Sequence, residues 1–212
     1  MSDRLQSPQE ERLNVLTHAI GVLLALVLIP VLLVRAASVP MLLATGVFSF
    51  GFLMAYLSST CYHWAERPRL KSRLRIWDHI SIFLLIGGTY TPIVWRYLER
   101  DTALWFLGGM WTLILLGCVL KLFYTGRYTR LSTAIYLVIG WMAVLIIKPL
   151  LVTMPVTVLW WIVGGGLAYS IGVIFYRWKK LTYHHSIWHV FVLAGTLLHY
   201  TAVFQTVSGT QL

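Results

Sequence analysis

Apolar residues in this chain come in long unbroken runs, and the few charged residues fall between them. No Asp, Glu, Lys or Arg occurs at 13–34, 36–65, 79–95, 102–120, 131–147, 149–176 or 181–212. Each run is close to or longer than the roughly 17–25 residues that cross a hydrocarbon layer as a helix. The runs are continuously apolar rather than alternating, which argues against a membrane β-barrel. The pattern predicts an all-α integral membrane protein. Residues 1–212 are expected to form a single seven-helix membrane domain, with helices at about 13–35, 40–65, 76–95, 103–122, 131–148, 155–178 and 183–205.

Composition agrees with this pattern. Hydrophobic residues make up 58% of the chain and charged residues 11%, whereas soluble domains carry about a quarter charged residues. The formal net charge of +10 would suggest nucleic acid on a soluble protein. Here the positive charges sit in loops, so the expected partner is the anionic headgroup layer, with no nucleic acid. The tail and the loops between helices two and three, four and five, and six and seven hold thirteen of the 17 basic residues, Arg4 among them. Only Arg35, Arg96, Arg100 and Lys148 fall on the opposite side. The positive-inside rule then puts the N-terminus in the cytoplasm and, across seven helices, the C-terminus outside. The first twelve residues are polar and mixed in charge, and read as a short cytoplasmic lead-in rather than a cleavable signal peptide.

Against this apolar background, a few polar residues stand out. Glu11, Asn14 and His18 are spaced i, i+3, i+7 and share one face at the start of helix one. That face either caps and solvates the helix end or lines a polar interior. Ser59 and His63 lie one turn apart in the last turns of helix two. Asp78 is expected in the first turn of helix three, where an acid also suits the helix dipole and nearby arginines. His79 points elsewhere, as an interfacial or hydrogen-bonded histidine. Gly87-Gly-Thr-Tyr-Thr-Pro92 permits close packing and a bend. His185 and His189, at i and i+4, share a face at the start of helix seven. His199 falls about 15 Å deeper at 1.5 Å per residue, too far to join them. It suits an interhelical hydrogen bond, or a role in proton or headgroup handling. Cys61 and Cys118 read as small buried hydrophobes. Cys61 points roughly 200° away from His63 around the helix, so it is not counted as a ligand.

His63, Asp78, His185 and His189 thus come from three helices at one depth. Polar residues in membrane helices are costly and usually face a partner or a cavity. His-x3-His on a helix converges on one point, and a third ligand from another helix completes an open zinc site. Imidazole and carboxylate favour Zn2+ over calcium or magnesium. A hydrogen-bonded polar cluster without metal is the other reading. Ser59 is placed to orient water, substrate or a ligand, and is a poorer nucleophile for want of a free base.

Ser59-x3-His63, Asp78-His79, Gly88-Thr-Tyr-Thr-Pro92 and His185-x3-His189 together resemble the haemolysin III family, which belongs with the progestin and adipoQ receptors, including the adiponectin receptors. Glu11-x2-Asn14-x2-Thr17-His18 also looks like that family's start of helix one. The resemblance covers nearly the whole chain, and its short tail looks like the bacterial branch, located in the plasma (bacterial inner) membrane. It implies a seven-helix zinc protein with His63, His185 and His189 as ligands. It implies that Asp78 is the acid that holds a zinc-bound water or lies close to it, and that Ser59 is the serine beside the site. The wider superfamily includes alkaline ceramidases.

Three functions follow as expectations. The first is a membrane-embedded zinc hydrolase of a lipid amide or ester, with Asp78 as general base and membrane lipid as substrate. The second is a non-enzymatic receptor or sensor of membrane state, with lipid as ligand and structural zinc closed by Asp78. The last is a pore, cytolysin or transporter, for which neither a charge ring nor a pair of discontinuous helices is visible.

Overall fold

The computed structural model describes residues 6–209; Arg4, counted above, lies outside the described residues. Within them the chain is helical and contains no strand. The helices are α1 (Pro8–Leu33), α2 (Val39–Trp64), α3 (Pro68–Tyr97), α4 (Arg100–Tyr124), α5 (Thr129–Gly140), α6 (Ile147–Thr153), α7 (Val156–Arg177) and α8 (His184–Ser208). A 3-10 turn over Met142–Ile146 joins α5 to α6. Among the described residues, six segments are long and apolar enough to cross a membrane: α1, α2, α4, Thr129–Thr153 taken as one, α7 and α8. The architecture is that of a multi-pass helical membrane bundle, in which helices satisfy their backbone groups within the chain. Large apolar side chains on its flanks, such as Leu23, Val27, Trp105 and Val152, are exposed, as surfaces in contact with lipid are.

Three element boundaries differ from those expected. α1 begins at Pro8 rather than Leu13. Ser7 accepts the Glu10 backbone N–H and Glu10 returns a bond to the Ser7 N–H, a capping box with Pro8 at the first helical position. α3 begins at Pro68 rather than Ile76. Charge marks where the apolar span starts, but a helix continues into water when a proline opens it. Asp78 therefore lies near the third turn of α3, at about 3.6 residues per turn, and not in the first. It is too far from the N-terminus of α3 to complement the helix dipole there. α3 has 30 residues; its polar Gly-Gly-Thr-Tyr-Thr-Pro stretch and basic start hold it below the apolarity of the other spans.

The third difference is the break in the fifth span, expected as one helix over 131–148. Pro149 has no N–H to give the Leu145 carbonyl, and its ring crowds that carbonyl. The backbone tightens to a 3-10 turn just before it. Tyr90 fills the break: its hydroxyl donates to the Gly140 carbonyl at 2.7 Å and accepts from the Ala143 N–H at 2.8 Å. Tyr90 thereby gives two backbone groups at the break a partner, as a hydrocarbon environment favours.

Packing places α8 at the centre, against α1, α2, α3 and α7. Phe48, Phe52 and Tyr56 of α2 are fully buried. Tyr56 donates to Thr196 of α8 at 2.7 Å. The pairing of α2 with α3 is closest where each offers a glycine. A Cβ on Gly51 would stand 2.5 Å from the Leu84 carbonyl oxygen, and one on Gly88 would stand 2.9 Å from the Phe48 Cα. Gly46, on the same helix, has nothing within 4 Å of such a Cβ.

Gly51→Ala is expected to destabilise the bundle by about 1–3 kcal/mol, because backbone cannot move aside as a side chain can. Gly46→Ala is expected to cost nothing. Thermal unfolding of the purified protein in one detergent checks both; equal melting temperatures for the two variants would refute the close contact.

Candidate metal centre

The last turn of α2 supplies His63, and the first two turns of α8 supply His185 and His189. One ligand atom from each lies within 4.8 Å of the other two. The ring centroids of His63 stand 5.1 Å from those of both His185 and His189, and the latter two are 4.5 Å apart. His63 and His189 are buried and His185 is half-buried. The i, i+4 spacing does what was expected of it on α8, and the end of α2 meets it from the side.

The outer nitrogens of two of these rings are already engaged. His63 Nδ1 donates to Glu11 Oε2 at 2.6 Å. Lys71 Nζ binds the other carboxylate oxygen at 2.9 Å. The carboxylate fixes the proton on Nδ1, so the Nε2 lone pair of His63 is directed inward. That Nε2 is buried and has no hydrogen-bond partner. Thr17 Oγ1 lies 3.1 Å from His189 Nδ1. With its own hydrogen on the Leu13 or Asn14 carbonyl, the hydroxyl accepts the imidazole N–H. A buried nitrogen lone pair without a partner is costly. Three imidazoles converging around one satisfy the requirements of a transition-metal ion, whereas calcium and magnesium prefer oxygen ligands.

The polar face of α1 closes over this cluster. Asn14, fully buried, accepts the Ser186 hydroxyl of α8 at 2.6 Å. Glu10, buried, accepts the Tyr183 backbone N–H at 3.0 Å, which ties the start of α1 to the start of α8. The His18 ring lies 3.6 Å from that of His189, and both its nitrogens are buried without a hydrogen-bond partner. Glu11, Asn14 and His18 therefore face a polar interior, the second of the two readings left open for them.

Other candidates lie apart from the cluster. Asp78 does not join the converging ligand atoms; its carboxylate stands 3.5 Å from His79 Nδ1. His79 Nδ1 donates to the Arg75 carbonyl at 2.8 Å. Ser59 is buried one turn before His63. His199 donates from Nε2 to the Ile162 carbonyl of α7 at 3.1 Å, an interhelical hydrogen bond. Cys61 is exposed rather than buried and is not in the ligand group; Cys118 is half-buried, and both are free thiols. The acid that touches a histidine of the cluster is thus Glu11, whereas Asp78 lies beside His79. Two residues of this neighbourhood were not singled out in the sequence. Glu10 carried a readable signal, three residues after Ser7 in a capping pattern. Lys71 carried none, because it reaches Glu11 only once α3 extends past the apolar span.

Comparison with known proteins shows the family. The family model described as "Haemolysin-III related" matches residues 6–200. The chain is 39% identical over 191 residues to "Hemolysin-3 homolog" of Bacillus subtilis (strain 168), covering 89% of this chain and 90% of the relative. It is 34% identical over 206 residues to "Hemolysin-3" of Bacillus cereus, covering 96% and 94%. It is also similar to "Monocyte to macrophage differentiation factor" of Homo sapiens, 26% identical over 172 residues, covering 75% and 68%. With a match across nearly its whole length and the histidine cluster inside the matched region, the chain belongs to the haemolysin III family.

Proposed function

We propose that His63, His185 and His189 hold Zn2+ and that the protein is a membrane-embedded, zinc-dependent hydrolase of lipid amide or ester bonds. The observation that carries this reading is the ligand group itself. It offers three imidazoles, a buried unpaired Nε2 on His63 and no fourth protein ligand among the described residues. Three protein ligands leave a position for substrate or water, as in catalytic zinc sites, whereas structural sites are closed by four. Zn2+ bound there supplies the Lewis acidity for splitting an amide or ester with water.

The chain's own residues have separable tasks. Glu11, itself held by Lys71, keeps the His63 proton on Nδ1 and the ring in place. Thr17 does the same for His189. His18, buried and unpaired beside His189, hydrogen-bonds the polar group of a substrate. Asp78, which touches none of the three histidines, acts as general base through water, and Ser59 orients that water. Substrate enters laterally from the bilayer. In this reading α3 is the seventh crossing, since it is 30 residues long and packs between α2 and α4. The N-terminus is then cytoplasmic and the C-terminus outside, in the bacterial inner membrane.

A second reading is favoured by one observation. The bonds around His63 and His189 tie α1, α2, α3 and α8 together at one end of the bundle. A metal at this junction pins helices whether or not it does chemistry, as a receptor or sensor of membrane state would need.

Wild-type protein purified without chelators is expected to carry one zinc per chain, lost in His63→Ala and in His189→Ala. Glu11→Gln is expected to weaken zinc binding by about 10–100-fold, read by competition with a chromogenic chelator. Zinc-free wild type would end the metal reading. Turnover of a fluorescent ceramide-like amide is expected to vanish in Asp78→Ala and fall by about 100-fold in His18→Phe, with zinc retained in both. Turnover unaltered in both variants, or none in zinc-loaded wild type, would leave the pinning role in its place.

A further inference from the structure

On the far side of α3 from α2, the same end of the bundle holds a second group of polar residues that the histidine cluster does not use. Lys121, in the last turn of α4, is 4% exposed. A lysine at a helix end in a membrane protein normally extends its ammonium to the interface. This one turns inward instead: Nζ donates to Ser132 Oγ of α5 at 2.6 Å and stands 5.5 Å from the centre of the Tyr136 ring. Among the described residues no carboxylate lies within ion-pairing distance of it. Asp78, the acid on the adjacent part of α3, is beside His79. The surroundings add positive charge rather than remove it. The Arg75 guanidinium lies against Gly126 in the turn between α4 and α5, and Arg127 is exposed on that turn.

Lys121 is not sealed in. It lines a cavity of about 180 Å3 between α3, α4 and α5, whose walls include Phe83, Gly117, Leu120, Leu131 and Ile135. Leu120 and Leu131 are exposed on the flank of the bundle, where the bilayer lies. The cavity therefore joins an apolar wall facing lipid to a buried cation without an anion. A buried charge is tolerated when it is paired, and basic pockets between membrane helices take anionic headgroups. We infer that this groove binds one anionic phospholipid, with its phosphate at Lys121 and Ser132 and an acyl chain against Phe83, Leu120 and Ile135. A phospholipid fits both halves of the groove; inorganic phosphate would leave the apolar wall empty, and a zwitterionic lipid would bring its own cation beside Lys121 and Arg75.

The test is native mass spectrometry of the full chain released from detergent after incubation with dioleoyl phosphatidylglycerol or dioleoyl phosphatidylcholine. One phosphatidylglycerol is expected to stay bound, and phosphatidylcholine is not. Lys121→Gln is expected to lower retention about ten-fold, and Lys121→Arg to preserve it. Ile135→Trp, which fills the groove and leaves the cation in place, is expected to lower it as well. Undiminished retention in Lys121→Gln or in Ile135→Trp overturns the proposal. So does equal retention of the two lipids, or a loss caused by Arg127→Gln alone, which would mark diffuse attraction to the basic turn. Inorganic phosphate displacing the lipid at equal concentration would also overturn it. Zinc measured in the same samples reports on the histidine site separately, so the two readings stand or fall independently.

Discussion

The bond from His63 Nδ1 to Glu11 Oε2, at 2.6 Å, is the contact on which the histidine cluster depends. It joins the first turn of α1 to the last turn of α2. It selects the histidine tautomer and so decides which nitrogen looks inward. A carboxylate here would be expensive alone, because low-dielectric surroundings penalise an unpaired charge. Lys71 from the extended start of α3 offsets that cost at 2.9 Å. Three helix ends therefore meet on one acid before any metal is considered. α8 joins them through Asn14–Ser186 and Thr17–His189.

This dependence explains how the elements share their work. α8 is central and contributes two of the three converging imidazoles, yet none of its own neighbours in sequence holds them. α1 supplies the orienting groups from one polar stripe. The remaining faces of α1 carry exposed leucine and valine. One helix thus presents lipid-soluble residues outward and the carboxylate that holds His63 inward. A stripe of this kind is stable only when its polar groups find partners in the bundle. Asn14 and Glu10 do find them.

Much of this was legible in the pattern of residues, for identifiable reasons. Charge-free runs locate spans because the hydrocarbon excludes charge, and the histidine pair of α8 converges because i and i+4 share a face. What the runs cannot locate is where a helix ends in water. Pro68 and the Ser7 box set those ends by local backbone chemistry, and both lie outside the apolar segments. The misplacement of Asp78 within α3 followed directly, and so did the oversight of Lys71. The break at Met142–Ile146 had a visible cause in Pro149. Its repair by Tyr90 did not, since that depends on a tyrosine fifty residues away arriving at the gap. The candidate ligands were read from periodicity; which acid touches them was not, because that is decided by how α1 crosses α2.

α3 emerges as a wall between two differently charged compartments. Toward α2 and α8 lie the imidazoles, with Glu11 and Lys71 paired beside them. Toward α4 and α5 lie Lys121 and Arg75, with no matching carboxylate among the described residues. Tyr136 of α5 fastens this second side by donating to the His79 carbonyl at 2.9 Å. His79 follows Asp78 directly in sequence, so the candidate base sits on the same turn that α5 grips. An anion settling at Lys121 would change the field on that turn without touching any histidine. The two sites are then neighbours through one short stretch of backbone, Asp78–His79, rather than through a shared cavity.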